Sequence, residues 1–294
     1  GDLGFENAAD ERGADVAGAK HGDALVVQHA AIVSCDHQGM RRILAAVLTL
    51  AAAATAETGA ERLRKIRDIR FQAEQCYRIR DVFLEREDFK IHFSDGYLLF
   101  AEPVEGRTMA ALFLAATETG EGEVILIPPI RSERQSMARF LGQPVLQEQI
   151  RTALLFFTDD TAEVLRRTIG ENAYNRVDEE AGRKLAEDWR PVARNMVPAY
   201  EGRMLIDSFS PLGTAAGFFA ASVSGVKLGR FDLLVDARRQ EQMSVGQAVW
   251  QEGQRFYDIW AAFPARSFRE GQRRPPAEST RLENYRLEAP LAPD

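Results

Sequence analysis

The side chains of this chain that could do chemistry are few, and their placement narrows the options. Four histidines and two cysteines occur in 294 residues, and His21, His29, His37 and Cys35 all precede Met40. From Met40 onward only His92 and Cys76 remain. A zinc hydrolase site takes two or three histidines, and a Ser-His-Asp triad takes one correctly placed. One His and one Cys build no conventional transition-metal site, so the sequence leads us to expect no catalytic, cofactor-binding or metal-ligating residues. Cys76 alone forms no intrachain disulfide, which leaves stability to the core.

The remaining candidates each have a plainer structural reading. Asp159-Asp160 could serve acid/base chemistry, but a cap between a strand and a helix explains them more simply. Asp232 and Asp236 lie four apart on an expected strand, where they share a face that suits either a cation or solvent. Tyr257, Trp260 and Phe263 suit a sugar platform or core and rim packing, and aromatic residues alone do not separate the two. Arg131, Arg134 and Arg139 surround the start of an expected helix at Ser132 and could hold an anion there, although a solvated face is the simpler account. His92 reads as a surface or packing residue of a strand. There is no Gly-rich phosphate loop, nucleophile elbow or metal-ligand spacing.

The elements that must position these residues begin after a leader. Met40-Arg41-Arg42, the apolar run from Ile43 to Leu50 and the small residues Ala54-Thr55-Ala56 have the order of a secretory signal peptide. Fourteen residues from Ile43 to Ala56 fall short of the ~20 that span a bilayer. The reading is a cleaved leader over 40–56, an exported protein starting near Glu57 and no membrane span after cleavage. Residues 1–39 read as disordered, non-native translation from upstream of the start codon.

A helix is expected over Glu61–Glu74, followed mainly by strands. Phe89-Lys-Ile-His-Phe alternates, and Asp95-Gly96 predicts a two-residue type I′ hairpin. That turn would put Phe89, Ile91, Phe93, Leu98 and Phe100 on one buried face. Strands are expected at 109–115, 123–127 and 153–158. Ser132 to Gln135 and Asp160 with Glu163 match helix-capping patterns, the second helix reaching Ile169, and Asp178–Met196 reads as a helix that Pro191 kinks or breaks. Four more strands fall at 217–223, 231–236, 243–250 and 255–263. A loose echo of Gly96, Pro103 and Gly106 in Gly202, Pro211 and Gly213 raises internal duplication.

The expected class is α+β, mainly antiparallel β, with two β-rich segments of sandwich or half-barrel type joined by helices. The first domain covers 57–170, and a helix with the second β segment covers 171–270. A linker and the first strand of a further domain cover 271–294. Met40–Asp294 holds 37 acids against 35 bases, a balance that favours neither nucleic acid nor an anionic membrane.

Five segments resemble the N-terminal accessory region of secreted bacterial zinc aminopeptidases of the gluzincin, membrane alanyl aminopeptidase-like family. They are Asp95-Gly-Tyr-Leu-Leu-Phe-Ala-Glu-Pro-Val-Glu-Gly-Arg107, Pro128-Pro-Ile-Arg-Ser-Glu-Arg134, Leu155-Phe-Phe-Thr-Asp159, Phe256-Tyr-Asp-Ile-Trp-Ala-Ala-Phe-Pro264 and Tyr285-Arg-Leu-Glu-Ala-Pro-Leu291. The resemblance runs from about Tyr77 to the end. It implies a β-rich accessory portion ahead of a catalytic core, with Tyr285 opening that core's first strand. Zinc in such enzymes needs a His-Glu-x-x-His helix, which this sequence lacks, so no catalytic residue carries over. The expected function is an exported non-catalytic accessory segment, inactive as it stands. Its partner is its own downstream catalytic domain, with peptide as a further ligand and zinc only in that domain. The alternative is a stand-alone exported module binding a peptide, glycan or envelope partner.

Overall fold

The computed structural model describes residues 58–210 and 217–274. The leader, the stretch before it, and the segment from Leu282 to Leu291 lie outside the described residues. Helix α1 (Gly59–Arg67) opens with a reciprocal capping box. Thr58 Oγ1 accepts from Glu61 N at 3.3 Å, and Thr58 N donates to Glu61 Oε2 at 2.9 Å. It stops well short of Glu74, because Phe71–Arg86 forms a 16-residue strand, β1. Pairing with β2 (Phe89–Ala101) supplies ladder hydrogen bonds that outweigh the helical preference of Gln72–Gln75.

The order continues β3 (Ala110–Ala115), β4 (Gly122–Leu126), α2 (Arg131–Leu141), β5 (Leu146–Phe157), α3 (Thr161–Glu171), β6 (Arg176–Val177) and α4 (Glu179–Met196). A 3₁₀ turn (Val197–Ala199) and α5 (Glu201–Ser208) lead to β7 (Phe218–Gly225), β8 (Arg230–Asp236), β9 (Met243–Gln251), β10 (Gln254–Phe263) and α6 (Arg266–Arg269). Helix α4 runs without interruption through Pro191. The expected strands of the second β segment fall where β7–β10 lie.

All pairings are antiparallel, in the order β10-β9-β8-β7-β5-β3-β2-β1-β6. Strands β3 and β4 lie end to end between β2 and β5, each bonded to both, so together they act as one interrupted strand of the sheet. Because β5 pairs with β7, the two β-rich stretches share one sheet. The protein is α+β and mainly antiparallel. The proposed duplication does not hold: Gly96 lies in a strand, Gly202 lies in α5, and Pro211 and Gly213 fall outside the described residues.

The expected hairpin at Asp95-Gly96 is absent. Strand β2 passes straight through both residues, and the reversal occurs at Glu87-Asp88, between the paired Arg86 and Phe89. Asp95 is tied instead to Arg78 across the ladder. What the Asp-Gly pair marks is a kink. Asp81 opposite Ser94 takes a positive φ of 54°, and the buried positions switch phase on both strands at this level. In line with it, residues 116–121 leave the β3–β4 path, Ser94 N and Asp95 N donating to Glu121 O at 2.7 and 3.1 Å. Two opposed phase changes keep Phe89, Ile91, Phe93, Leu98 and Phe100 in one core, the grouping that the hairpin had suggested.

Both sheet faces are covered. One core packs Phe89, Phe113, Phe157, Phe219, Phe231 and Trp260 against Met137 of α2 and Leu165 of α3. The other packs Cys76, Leu112, Phe156 and Phe218 under α1, α4 and α5. Gly182 lets α4 close on β1: a Cβ there would lie 2.7 Å from the Cys76 Cβ. Cys76 is fully buried, and burial, with Asp178 adding to it, pushes its thiol up to about 12. Since only the thiolate is the nucleophile, Cys76 should resist iodoacetamide in the native protein and label readily in denaturant, as read by peptide mass spectrometry. Native labelling at the rate of an ordinary exposed thiol would contradict this burial.

Candidate functional site

The positions singled out from the sequence are mostly occupied by structural work. Asp159 Oδ1 accepts from Thr161 N at 3.0 Å, so the strand-to-helix cap is real but belongs to Asp159. Asp160 occupies the N-cap position without a side-chain bond. Arg86 lies 3.4 Å from both Asp159 Oδ2 and Asp160 Oδ1. Burial raises the Asp159 pKa, opposed by Arg86 and Thr161.

The expected capping box at Ser132 is not formed. Helix α2 starts at Arg131 with Ile130 as an uncapped N-cap, since Glu133 turns away to accept from Ala262 N at 2.8 Å. Arg134 donates to the carbonyls of Pro128 and Pro129, both at 2.8 Å. His92 stacks flat on Phe83 at 4.1 Å and meets Asp81 Oδ1 at 3.1 Å, which is a packing role. Trp260 and Phe263 are core residues, whereas Tyr257 is half exposed.

Asp232 and Asp236 share a sheet face, yet the structure separates their roles. Asp236 is bound by Arg203 at 3.0 Å. Asp232 faces a cavity of about 600 Å³ between the turn at Asn195–Tyr200 and strands β7–β10. The cross-strand register builds the floor: Ser222 pairs with Asp232, and Asp232 with Gly246. Gly246 has a specific steric role here, because a Cβ would meet the Tyr257 ring at 2.7 Å. With hydrogen alone at that position, the ring lies over the strand and brings its hydroxyl to 3.4 Å from Asp232 Oδ2. Period-2 alternation puts Arg230 beside Asp232 and Arg255 beside Tyr257 on this same face, and both arginines line the cavity. Tyr200 closes it from the 3₁₀ turn, its ring held at 5.2 Å from Phe156 and 6.0 Å from Phe218.

Burial raises the Asp232 pKa above the usual aspartate range, against the Ser222 and Tyr257 hydroxyls and the charges of Arg230 and Arg255. Burial and the Asp232 charge raise both phenols, Tyr200 and Tyr257. Neither Arg230 nor Arg255 has a carboxylate partner among the described residues, in contrast to the arginines of the larger groove along α4. There Arg70 and Arg190 hold Asp68 at 2.7 and 2.8 Å, and Arg67 holds Glu201 at 2.6 Å.

The Asp232 arrangement also fixes a pH effect. A carboxyl whose pKa is raised by folding keeps its proton better in the folded state, so its ionisation costs stability as pH rises from the unfolded range through the raised value. Asp232→Asn should therefore match the wild type near about pH 4 and be the more stable near about pH 7, as urea midpoints would show. A wild type that gained on the variant with rising pH would reverse the sign.

Sequence reasoning missed Tyr200, Ser222, Arg230, Gly246 and Arg255. Their signal was limited to two short alternations, Arg230-x-Asp232 and Arg255-x-Tyr257, which acquire meaning only once the strands are in register. Among the described residues no group of three or more His, Cys, Asp or Glu side chains is placed to hold a metal, and no helix is long and apolar enough to cross a membrane.

Fold and cavity together define an antiparallel α+β protein with a mixed-charge cavity at one end of its sheet. Comparison with protein-family models, curated proteins and solved structures finds no match to the chain.

Proposed function

We propose that this chain is an exported, non-catalytic accessory module that acts by docking, its partner being the catalytic domain of a zinc aminopeptidase-like protein. The observation that carries the docking role is the free end of the sheet. Strand β10 is outermost, and within ten residues the β9–β10 ribbon exposes Trp250, Phe256, Tyr257 and Ile259. Exposed apolar side chains grouped on an edge ribbon mark an interaction surface. The sequence resemblance supplies the identity of the partner and, with the leader, the exported location.

The test is association of the purified chain with the polypeptide encoded downstream in the same reading frame. Binding should weaken at least about tenfold in Trp250→Ala and Ile259→Asp, since aromatic anchors dominate such interfaces. No association, or binding indifferent to both substitutions, would remove the docking role. The chain alone should turn over no aminoacyl-nitroanilide, and turnover abolished by a chelator would refute the non-catalytic reading.

The alternative, a stand-alone module that binds a peptide, glycan or envelope partner, is favoured by one separate observation. The Asp232 cavity lies beside this ribbon and contains charged groups that the described residues leave without counter-ions.

A further inference from the structure

The Asp232 cavity has a charge arrangement that restricts its ligand. Its carboxyl is set into the floor, where the Tyr257 hydroxyl donates to it at 3.4 Å and Ser222 is its cross-strand neighbour. Arg230 and Arg255 line the same cavity, close enough to act on Asp232 electrostatically, yet neither forms an ion pair with it or with another carboxylate among the described residues. Tyr200 presents a hydroxyl that has no hydrogen-bond partner among the described residues. Opposite charges are thus held apart inside one cavity, with aromatic and hydroxyl surface between them.

Each simple ligand leaves part of this arrangement unsatisfied. A neutral sugar would cover the carboxyl and the guanidiniums without neutralising either, and desolvating an uncompensated charge is costly. A plain anion would meet the arginines but face Asp232. A plain cation would meet Asp232 but face two guanidiniums. A ligand with an ammonium at one end and a carboxylate at the other compensates both, and forked N–H donors of arginine suit a carboxylate. A volume of about 600 Å³ lies within the range of small-molecule sites and exceeds a single amino acid.

We propose that this cavity binds a small zwitterion, a free amino acid or short peptide, with its ammonium on Asp232 and its carboxylate on Arg230 and Arg255. The Tyr200 and Tyr257 hydroxyls accept from or donate to the groups between the two ends. Gly246 keeps this part of the floor in place, because a Cβ there would meet both the Asp258 carbonyl oxygen of β10 and the Tyr257 ring. The proposal rests on the cavity and its charges; it shares Tyr257 with the β9–β10 ribbon, whereas docking is probed at Trp250 and Ile259, which do not line the cavity.

The experiment is calorimetric titration of the full chain with alanyl-phenylalanine, its N-acetylated form and its C-terminal amide. The free dipeptide should bind, and each blocked form should bind about tenfold or more weakly, the factor expected for loss of one charge-assisted contact. Asp232→Asn should weaken the free dipeptide and erase the difference from its N-acetylated form. Arg230→Gln with Arg255→Gln should erase the difference from its amide. Thermal melts of the same variants show whether they remain folded. Gly246→Ala should weaken all binding, while Asp232→Asn leaves association through the ribbon unchanged, so the two readings fail separately. Equal binding of free and blocked dipeptides, binding of maltose with the same sensitivity to Asp232→Asn, or no binding of the free dipeptide to the folded wild type would overturn the proposal.

Discussion

Replacing Gly96 with alanine is expected to destabilise the protein by about 3 kcal/mol or more, the upper end of overpacking costs. Gly→Ala in a strand ordinarily helps by roughly 0.5–1 kcal/mol through the unfolded chain, so the sign itself is informative. At Gly96 a Cβ would lie 2.7 Å from Phe113 Cε2 and closer still to the Leu114 carbonyl oxygen. Both belong to β3, which pairs with β2 at this level. Backbone must therefore move, and Phe113 is fully buried.

A drop of about 6–12 °C in Tm follows from the usual scaling for a domain of this size. Gly96→Asn separates the two readings of Asp95-Gly96. A type I′ hairpin tolerates asparagine at that position, whereas the strand interior does not. A Gly96→Asn protein melting within about 2 °C of wild type would restore the hairpin. Gly170, which lies in α3 with nothing near its would-be Cβ, provides the control: Gly170→Ala should stabilise by up to about 1 kcal/mol.

The second large effect is expected at Asp207. Its carboxylate is almost completely buried. It meets Arg203, Arg238 Nη2 at 3.1 Å and the Thr158 hydroxyl. Thr158 Oγ1 in turn accepts from Phe218 N at 3.1 Å, while Arg107 donates to the carbonyls of Asp207 and Ser210 at 2.9 and 2.7 Å. One side chain thus joins α5 to the ends of β5, β7 and β8. Removing one partner from a buried ion pair leaves charge without compensation, at a cost of about 3–5 kcal/mol. Asp207→Ala should lose that much in urea unfolding. Adding Arg203→Leu should deepen the loss, because Arg203 also holds Asp236 at 3.0 Å and its removal leaves that carboxylate without its guanidinium. A loss under about 1 kcal/mol, the size of a surface pair, would mean that the network contributes little.

Local signals were sufficient for part of the fold, and for neither of these two sites. Alternation located β7–β10 within a few residues, because a strand covered on at least one face imposes a period of 2 that the sequence records. The capping signal at Asp159-Asp160 was also readable, although the side chain that caps is Asp159. Asp95-Gly96 was misread because the same dipeptide serves a tight turn and a close approach between strands. Only the position of Phe113 and Leu114 on the neighbouring strand separates the two. The helix expected to reach Glu74 ended at Arg67 for a related reason, since pairing with Ala101, thirty residues away, recruits Phe71 into a strand.

By itself the sequence determined the class of the protein and most of its strands. Those features follow from side-chain periodicity and composition within a window of a dozen residues. It also named Asp232 and Tyr257 as candidates, without relating them to each other. Only the tertiary structure joined them to Ser222, Arg230, Arg255 and Tyr200 around one cavity, and only it assigned Asp236 and Asp207 to a buried network. Which side chains converge is set by strand register and by helices packing across the sheet. Both are long-range choices whose energy lies in contacts between residues far apart in the chain, and no local stretch of sequence contains them.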